Sequence, residues 1–268
     1  MNRATKIQVE FNDQVEEAVE NWGDHESMNL ARVLRWLSQF ADEHLELAIE
    51  VMGRVRYYGA ANIRAMTKAI FTMAAAELTA KKFKKIAFIQ TGGAGSGAST
   101  VARVLREYCR NTSFQVRTIG DLRDSKPGDY DCVVFIDDFS GTGKTLSGWW
   151  DSVEPFIRPL SASVYVGVLV LNWKARARIE GFAEGIFNAV ELEDSDNVFS
   201  KENLAFDDGS KAILLNVNTQ TGCGEGYEKG FGECGLLVAF RHGCPNNSIP
   251  ILWCDRTNWK SLFNRRSI

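Results

Sequence analysis

No apolar run in this 268-residue sequence is long enough to cross a bilayer. Its most apolar stretch, Val164 to Leu171, has the length of a buried strand. An export signal is missing too, because Met1 to Asp13 is polar and mixed in charge with no apolar centre. The expected compartment is therefore the cytoplasm, without membrane association. Neither sign of charge is in large excess: 31 Lys and Arg stand against 34 Asp and Glu, a formal charge of −3. Bulk charge thus gives no reason to expect a protein that coats nucleic acid or a membrane surface. There is no internal repeat and no low-complexity tract. With 45% hydrophobic and 24% charged residues, a mainly disordered or collagen-like chain is ruled out. The length suits one large α/β domain, or a small domain with a medium one.

Closely spaced cysteine pairs are also lacking. Cys223, Cys234, Cys244 and Cys254, with His242 among them, invite a zinc hypothesis. Structural zinc sites usually present two ligands from one tight turn, and these wide spacings contain no such turn. Small buried thiols in a C-terminal β region are the preferred reading, and all six cysteines are expected reduced in the cytoplasm.

What is present divides near residue 80. Leu30, Val33, Leu34, Leu37 and Phe40 recur at the spacing of one buried helix face. Leu45, Ala48, Ile49, Met52 and Val55 repeat it, and Ile63, Met66, Ile70 and Met73 begin a third helix. The acids from Glu10 to Glu26 read as a solvated face or frayed arm. After the basic linker at 81–85 the pattern changes to compact strands alternating with helices. Strands are expected at 86–90, 115–119, 132–137 and 164–171, with helices near 101–108 and from about Thr142. Two short strands are expected at 236–240 and 249–253. The expected organisation is a helical subdomain over 1–80 and an α/β domain over 81–268. Its sheet is mostly parallel, with helices on both faces.

The sharpest feature is Val133-Val134-Phe135-Ile136-Asp137-Asp138-Phe139-Ser140-Gly141-Thr142-Gly143-Lys144-Thr145. A buried strand ends in two acids, and a loop of small residues then enters a helix. Glycines let backbone approach a ligand, and N–H groups at a helix start make an anion cradle. Ser140, Thr142 and Thr145 add hydroxyls. Two carboxylates would repel a phosphate, so they must face hydrogen-bond donors or a cation. Vicinal ribose hydroxyls, directly or through magnesium, meet that requirement. A sugar phosphate follows, its 5′-phosphate in Ser140, Gly141, Thr142, Gly143, Lys144 and Thr145, its ribose hydroxyls on Asp137 and Asp138.

This segment resembles the PRPP-binding motif of type I phosphoribosyltransferases. The resemblance implies that Asp137 and Asp138 are the catalytic, ribose-binding acids and could hold Mg2+. It implies further that Ser140 to Thr145 take the 5′-phosphate. The loop of Thr91, Gly92, Gly93, Ala94, Gly95, Ser96 and Gly97 stands where the family binds the pyrophosphate, although it lacks the basic residue often found there. Gly120 to Tyr130 stands where the family keeps a flexible catalytic loop; it offers Arg123 and Lys126 but is short for a full lid.

Two rivals compete for the same residues. Ser140 to Thr145 imitates the end of a Walker A loop, yet the required first glycine falls on Asp138, a poor neighbour for a triphosphate. Gly93, Gly95 and Ala98 form G-x-G-x-x-A, with Asp121 as the ribose acid of a dinucleotide fingerprint. That reading leaves the paired acids unexplained.

A narrower resemblance runs from about Asn29 to Trp253. Trp36-Leu37-Ser38-Gln39-Phe40, the 92–97 loop, Asp137 to Gly143 and Pro245 to Trp253 look like the phosphoribosyltransferase-like domain of bacterial conflict systems. That family accompanies anti-phage modules, including retrons. It implies an effector acting on PRPP or a nucleotide at ribose C1, by transfer or by cleavage. The implied partner is a reverse transcriptase with its DNA–RNA product, or another defence-system protein. The alternative is an inactive module that senses a nucleotide or PRPP. Trp149 and Trp150 could stack on a base, though the face of a helix packing on a sheet is the commoner use. Tyr227, Phe231, Arg241 and His242 fall where a base-covering hood would be, with His242 a candidate acid or base.

Overall fold

The computed structural model describes residues 2–93 and 96–265. Along the chain come α1 (Arg3–Glu10), α2 (Asn12–Asn21), α3 (Leu30–Leu37), α4 (Leu45–Gly53), β1 (Arg56–Tyr58) and α5 (Ala60–Ala80). There follow β2 (Ile86–Gln90), α6 (Gly97–Tyr108), β3 (Phe114–Arg117), α7 (Ile119–Arg123), β4 (Cys132–Ser140) and α8 (Lys144–Ile157). The remainder is β5 (Ser163–Asn172), α9 (Trp173–Glu180), β6 (Gly185–Leu192), α10 (Asp208–Gln220), β7 (Val238–Phe240) and α11 (Pro250–Trp253). Among the described residues, no helix is long and apolar enough to cross a membrane.

The chain forms two compact units, Ala61–Leu192 and Met1–Ala60 with Glu193–Ile268. The first is the expected α/β architecture. Its sheet has the order β3-β2-β4-β5-β6, and every neighbouring pair is parallel. Runs such as Cys132–Ile136 and Val164–Val166 are buried continuously because helices cover both faces. On one face Ala87, Ile89, Val133, Phe135 and Val166 share a core with Leu146 and Val153 of α8 and Ala175 and Ile179 of α9. On the other, Phe71 of α5 meets Phe88 at 6.2 Å and Phe114 at 5.4 Å between ring centroids. Gly167 of β5 admits α5 closely, since a Cβ there would lie 3.1 Å from Ile70 Cγ2.

In the second unit the N-terminal helices share one core with the C-terminal tail. Trp36, Leu37, Val51 and Met52 cluster with Val198, Leu237, Ile251, Leu252 and Phe263. The units therefore differ in extent from the expected segments 1–80 and 81–268: α5 belongs with the sheet, and the tail with the helices. Strands β1 and β7 pair in parallel, Arg56 opposite Val238.

Of the two readings of the acidic stretch, the solvated face holds: Glu10, Asp13, Glu16, Glu17 and Glu20 are exposed while α1 and α2 bury Ile7, Val15 and Ala18 in the core, so it is not a frayed arm. Two other local expectations are corrected. Ile249–Trp253 is not a strand; Pro250, with its fixed φ, opens α11. The strand expected at 115–119 ends at Arg117, because Thr118 caps α7.

Candidate functional site

Strand β4 runs past the end of β2. Their last pair is Gln90 with Ile136, and Asp137, Phe139 and Ser140 then pair with Val168, Val170 and Leu171 of β5. Thr91 closes the β2 side, its N–H donating to the Ile136 carbonyl at 3.1 Å and its Oγ1 to the same oxygen at 3.0 Å. Beyond that point β2 leads to α6 and β4 to α8. Because the strand order reverses between β2 and β4, a crevice opens at their carboxyl ends.

Both acids are strand residues rather than loop residues, and their carboxyl groups lie within interaction distance of each other. Asp138 is buried, and although the Asp137 residue is partly exposed, its carboxyl group is enclosed by protein. The Asp138 N–H donates to Asp137 Oδ1 at 2.9 Å. Burial, and then the charge of Asp138, push the Asp137 carboxyl well above the usual carboxylate range; the Asp138 N–H and the Thr91 hydroxyl oppose this. A second negative charge is disfavoured here until a cation or hydrogen-bond donor enters.

The loop after the acids is held tightly. Ser140 and Gly141 are buried, and Gly143 takes φ +72 as the N-cap of α8. A Cβ on Gly143 would lie 3.1 Å from the Ala175 carbonyl oxygen and 3.2 Å from Arg178 Cβ, so conformation and packing both require glycine. The Lys144 N–H lies 3.5 Å from Thr142 Oγ1, and Lys144 and Thr145 are exposed on the first turn of α8. Arg178 of α9 donates from Nη1 to the Thr142 carbonyl at 2.8 Å. Sequence reasoning missed Arg178, because only the tertiary fold brings α9 against this loop.

Across the crevice, Gly92 has φ +68, Gln90 Nε2 donates to the Gly93 carbonyl at 3.1 Å, and Ser96 Oγ donates to the Thr91 carbonyl at 3.2 Å. Gly97 is buried at the start of α6. Gly95, another of the expected phosphate-binding residues, lies outside the described residues. Ser96 thus turns its hydroxyl away from capping α6, and Gly143 has no side chain with which to cap α8. Neither helix has an acid in its first turn. Two positive helix ends therefore follow the two strands that border the crevice.

Other candidates are engaged elsewhere. Asp121 forms a reciprocal capping box with Thr118, receiving the Thr118 N–H at 2.7 Å, which holds its carboxyl low. The ribose acid of the dinucleotide reading is therefore a helix cap. Trp149 packs edge-on against Phe135 at 4.6 Å, and Trp150 stacks on Phe182 at 5.2 Å. Arg123 lies over the Phe156 ring, and the Lys126 N–H donates to Asp129 Oδ2 at 2.7 Å. Tyr227, Phe231, Arg241 and His242 belong to the helical unit, where Arg241 donates to the Asp24 carbonyl and His242 stacks on Phe240. The six cysteines are thiols, and among the described residues no group of three or more His, Cys, Asp or Glu is arranged to hold a metal.

The model of one protein family, PRTase-CE, matches residues 33–265. The chain belongs to the PRTase-CE family. It is thus phosphoribosyltransferase-like, and the PRTase-CE match takes in both crevice loops and parts of both units. Solved structures show weaker likeness. One is a hypothetical protein from Neisseria gonorrhoeae with bound ppGpp, at 16% identity and TM-score 0.34, over 52% of this chain and 85% of that one. Another is the xanthine-guanine-hypoxanthine phosphoribosyltransferase of Helicobacter pylori, at 9% and 0.34, over 52% and 89%. A third is the hypoxanthine-guanine phosphoribosyltransferase of Schistosoma mansoni in complex with IMP, at 18% and 0.32, over 49% and 66%. No curated protein matches the chain.

Proposed function

We propose that this PRTase-CE protein binds PRPP or a nucleotide in the crevice between β2 and β4 and acts at C1 of its ribose, by transfer or by cleavage. The observation that carries the reading is the pair Asp137 and Asp138 on the overhang of β4, between two uncapped helix ends. The 5′-phosphate lies on Ser140 to Thr145 and the α8 N-terminus, the ribose hydroxyls on the acids, and any diphosphate on Thr91 to Gly97. As the leaving group departs, positive charge grows at C1, and carboxylates held close by in a low-dielectric crevice stabilise it.

Magnesium fits these acids. It is commonly held by one or two carboxylates, with phosphates and water completing its shell. When bound, it would neutralise diphosphate charge in a loop that has no basic residue. Family membership supports a setting in the cytoplasm, in an anti-phage system such as a retron, with a reverse transcriptase nucleoprotein or another defence protein as partner.

One observation favours a second reading, a nucleotide or PRPP sensor without turnover. The segment 120–130 is a short helix and a turn in which the Arg123 side chain and the Lys126 backbone are tied locally, which leaves little to close over a ligand. Pure protein incubated with magnesium, PRPP and a panel of nucleotides, assayed by mass spectrometry, separates the two. Pyrophosphate, free base or ribose phosphate is expected; binding with no new product selects the sensor. The double substitution Asp137→Asn/Asp138→Asn should weaken PRPP or nucleotide binding at least about tenfold, since hydrogen bonds to charged groups contribute about 1.5–3 kcal/mol and neutral ones about 1. Unchanged affinity in the folded double variant would sink the assignment.

A further inference from the structure

We infer that Arg178 is the cationic ligand of the phosphate held at the 140–145 loop, a role that rests on the sugar-phosphate reading and deepens it. The loop's own sequence offers one cation, Lys144, exposed on the first turn of α8. A phosphate monoester carries about 1.5–2 negative charges at neutral pH, so hydroxyls and N–H groups alone leave charge unmatched. Arg178 supplies what is missing from a helix that the sequence places well after the motif.

Helix α9 carries two arginines, Arg176 and Arg178, and they are used differently. The Arg176 guanidinium lies against Glu191 and Glu180, which neutralise it. Arg178 has no acid within ion-pair distance among the described residues. Its one hydrogen bond among the described residues, from Nη1 to the Thr142 carbonyl at 2.8 Å, leaves the other guanidinium N–H groups available. That bond fixes a full positive charge at the turn where Thr142 and Gly143 pass into α8. The tight seat of Gly143 against Ala175 and Arg178 Cβ holds α9 at that same turn.

An exposed guanidinium tied to a single carbonyl adds little stability, because ordering so long a side chain offsets most of the gain. Its geometry suits phosphate better. A guanidinium presents several N–H donors in one plane and can bond two phosphate oxygens while keeping the carbonyl. Arg178 would then serve as strap and ligand together, joining loop, α9 and phosphate.

The test measures binding of ribose 5-phosphate to the full chain by calorimetry, for wild type, Arg178→Gln, Arg178→Lys and Arg176→Gln. Gln keeps a donor for the Thr142 carbonyl but not the charge. Arg178→Gln should lose about tenfold in affinity and show a shallower salt dependence than wild type, whereas Arg178→Lys should recover part of the loss. Arg176→Gln, whose charge is already matched, should bind within about twofold of wild type. If Arg178→Gln binds as wild type does, with the same salt dependence, Arg178 is not a phosphate ligand, although the sugar-phosphate reading stands. A loss in Arg178→Gln with no change in salt dependence and no recovery in Arg178→Lys also overturns the inference, since it marks a strap alone. Failure of wild type to bind any sugar phosphate overturns the broader reading and this one with it.

Discussion

The two units treat their buried polar groups in opposite ways. In the helical unit these groups close on one another. Trp36 and Trp259 both donate to the Ile251 carbonyl, at 2.7 and 3.0 Å, and Trp253 donates to that of Ser248 at 2.7 Å. Asn218 donates to the Glu228 carbonyl and accepts the Ile251 N–H, while Gln39 and Lys260 exchange two bonds. At the crevice of the α/β unit, two carboxyls adjoin along one strand, and burial with the charge of Asp138 raises the proton affinity of Asp137. Self-satisfied polarity holds a chain together, whereas adjoining like charges cost free energy.

That contrast can be broken most forcefully at Trp36, which is fully buried. Trp36→Ala removes the large side chain and one of the two indole bonds to the Ile251 carbonyl, and should cost about 3–5 kcal/mol. Chemical denaturation read by fluorescence and circular dichroism would show it. A loss under about 1 kcal/mol would mean the network contributes little.

A smaller effect of opposite sign is expected at Asp137. Its carboxyl holds its proton more tightly folded than unfolded, so stability falls as pH rises from about 4, the unfolded value, through the raised folded value, and stays lower above it. Asp137→Asn escapes that fall. Without ligand, the variant should be the more stable by about 0.5–2 kcal/mol at pH 8, and the gap should shrink toward pH 4. Melting curves across that range decide it; a variant less stable at pH 8 contradicts the account of the acid pair.

The smallest effect belongs to Asp121. Asp121→Ala removes one half of a capping box and should lower stability by about 0.3–1 kcal/mol. NAD, PRPP and nucleotide binding should stay as in wild type. A selective loss of NAD binding would restore the dinucleotide fingerprint that the capping geometry displaces.

How much of this was legible depended on how far each signal reached along the chain. Strands β2, β4 and β5 were plain because strands buried on both faces read as unbroken apolar runs. The acids and the small residues after them stood out because they are contiguous in the sequence. Strand β6 went unread: it lies at the sheet edge, mostly half-buried, and Asn188 and Glu191 interrupt its pattern. A short apolar run such as Ile249–Trp253 does not distinguish strand from helix by periodicity, and Pro250 was the missed clue. The pairing of N-terminal helices with the tail, and of Arg178 with Thr142, left no local trace at all.

The insertion of one unit inside the other also sets an order of events. A ribosome finishes Ala61–Leu192 before any of Glu193–Ile268 exists, so the sheet can form during synthesis while the helical unit still lacks half its core. When β7 emerges, it must find β1, Arg56 opposite Val238, across the whole intervening segment. An unfolded segment of that length would impose a large closure entropy; one already collapsed into a folded unit is an effectively shorter loop. Translation order thus favours the sheet as the first unit to be born and the helical unit as the last to close.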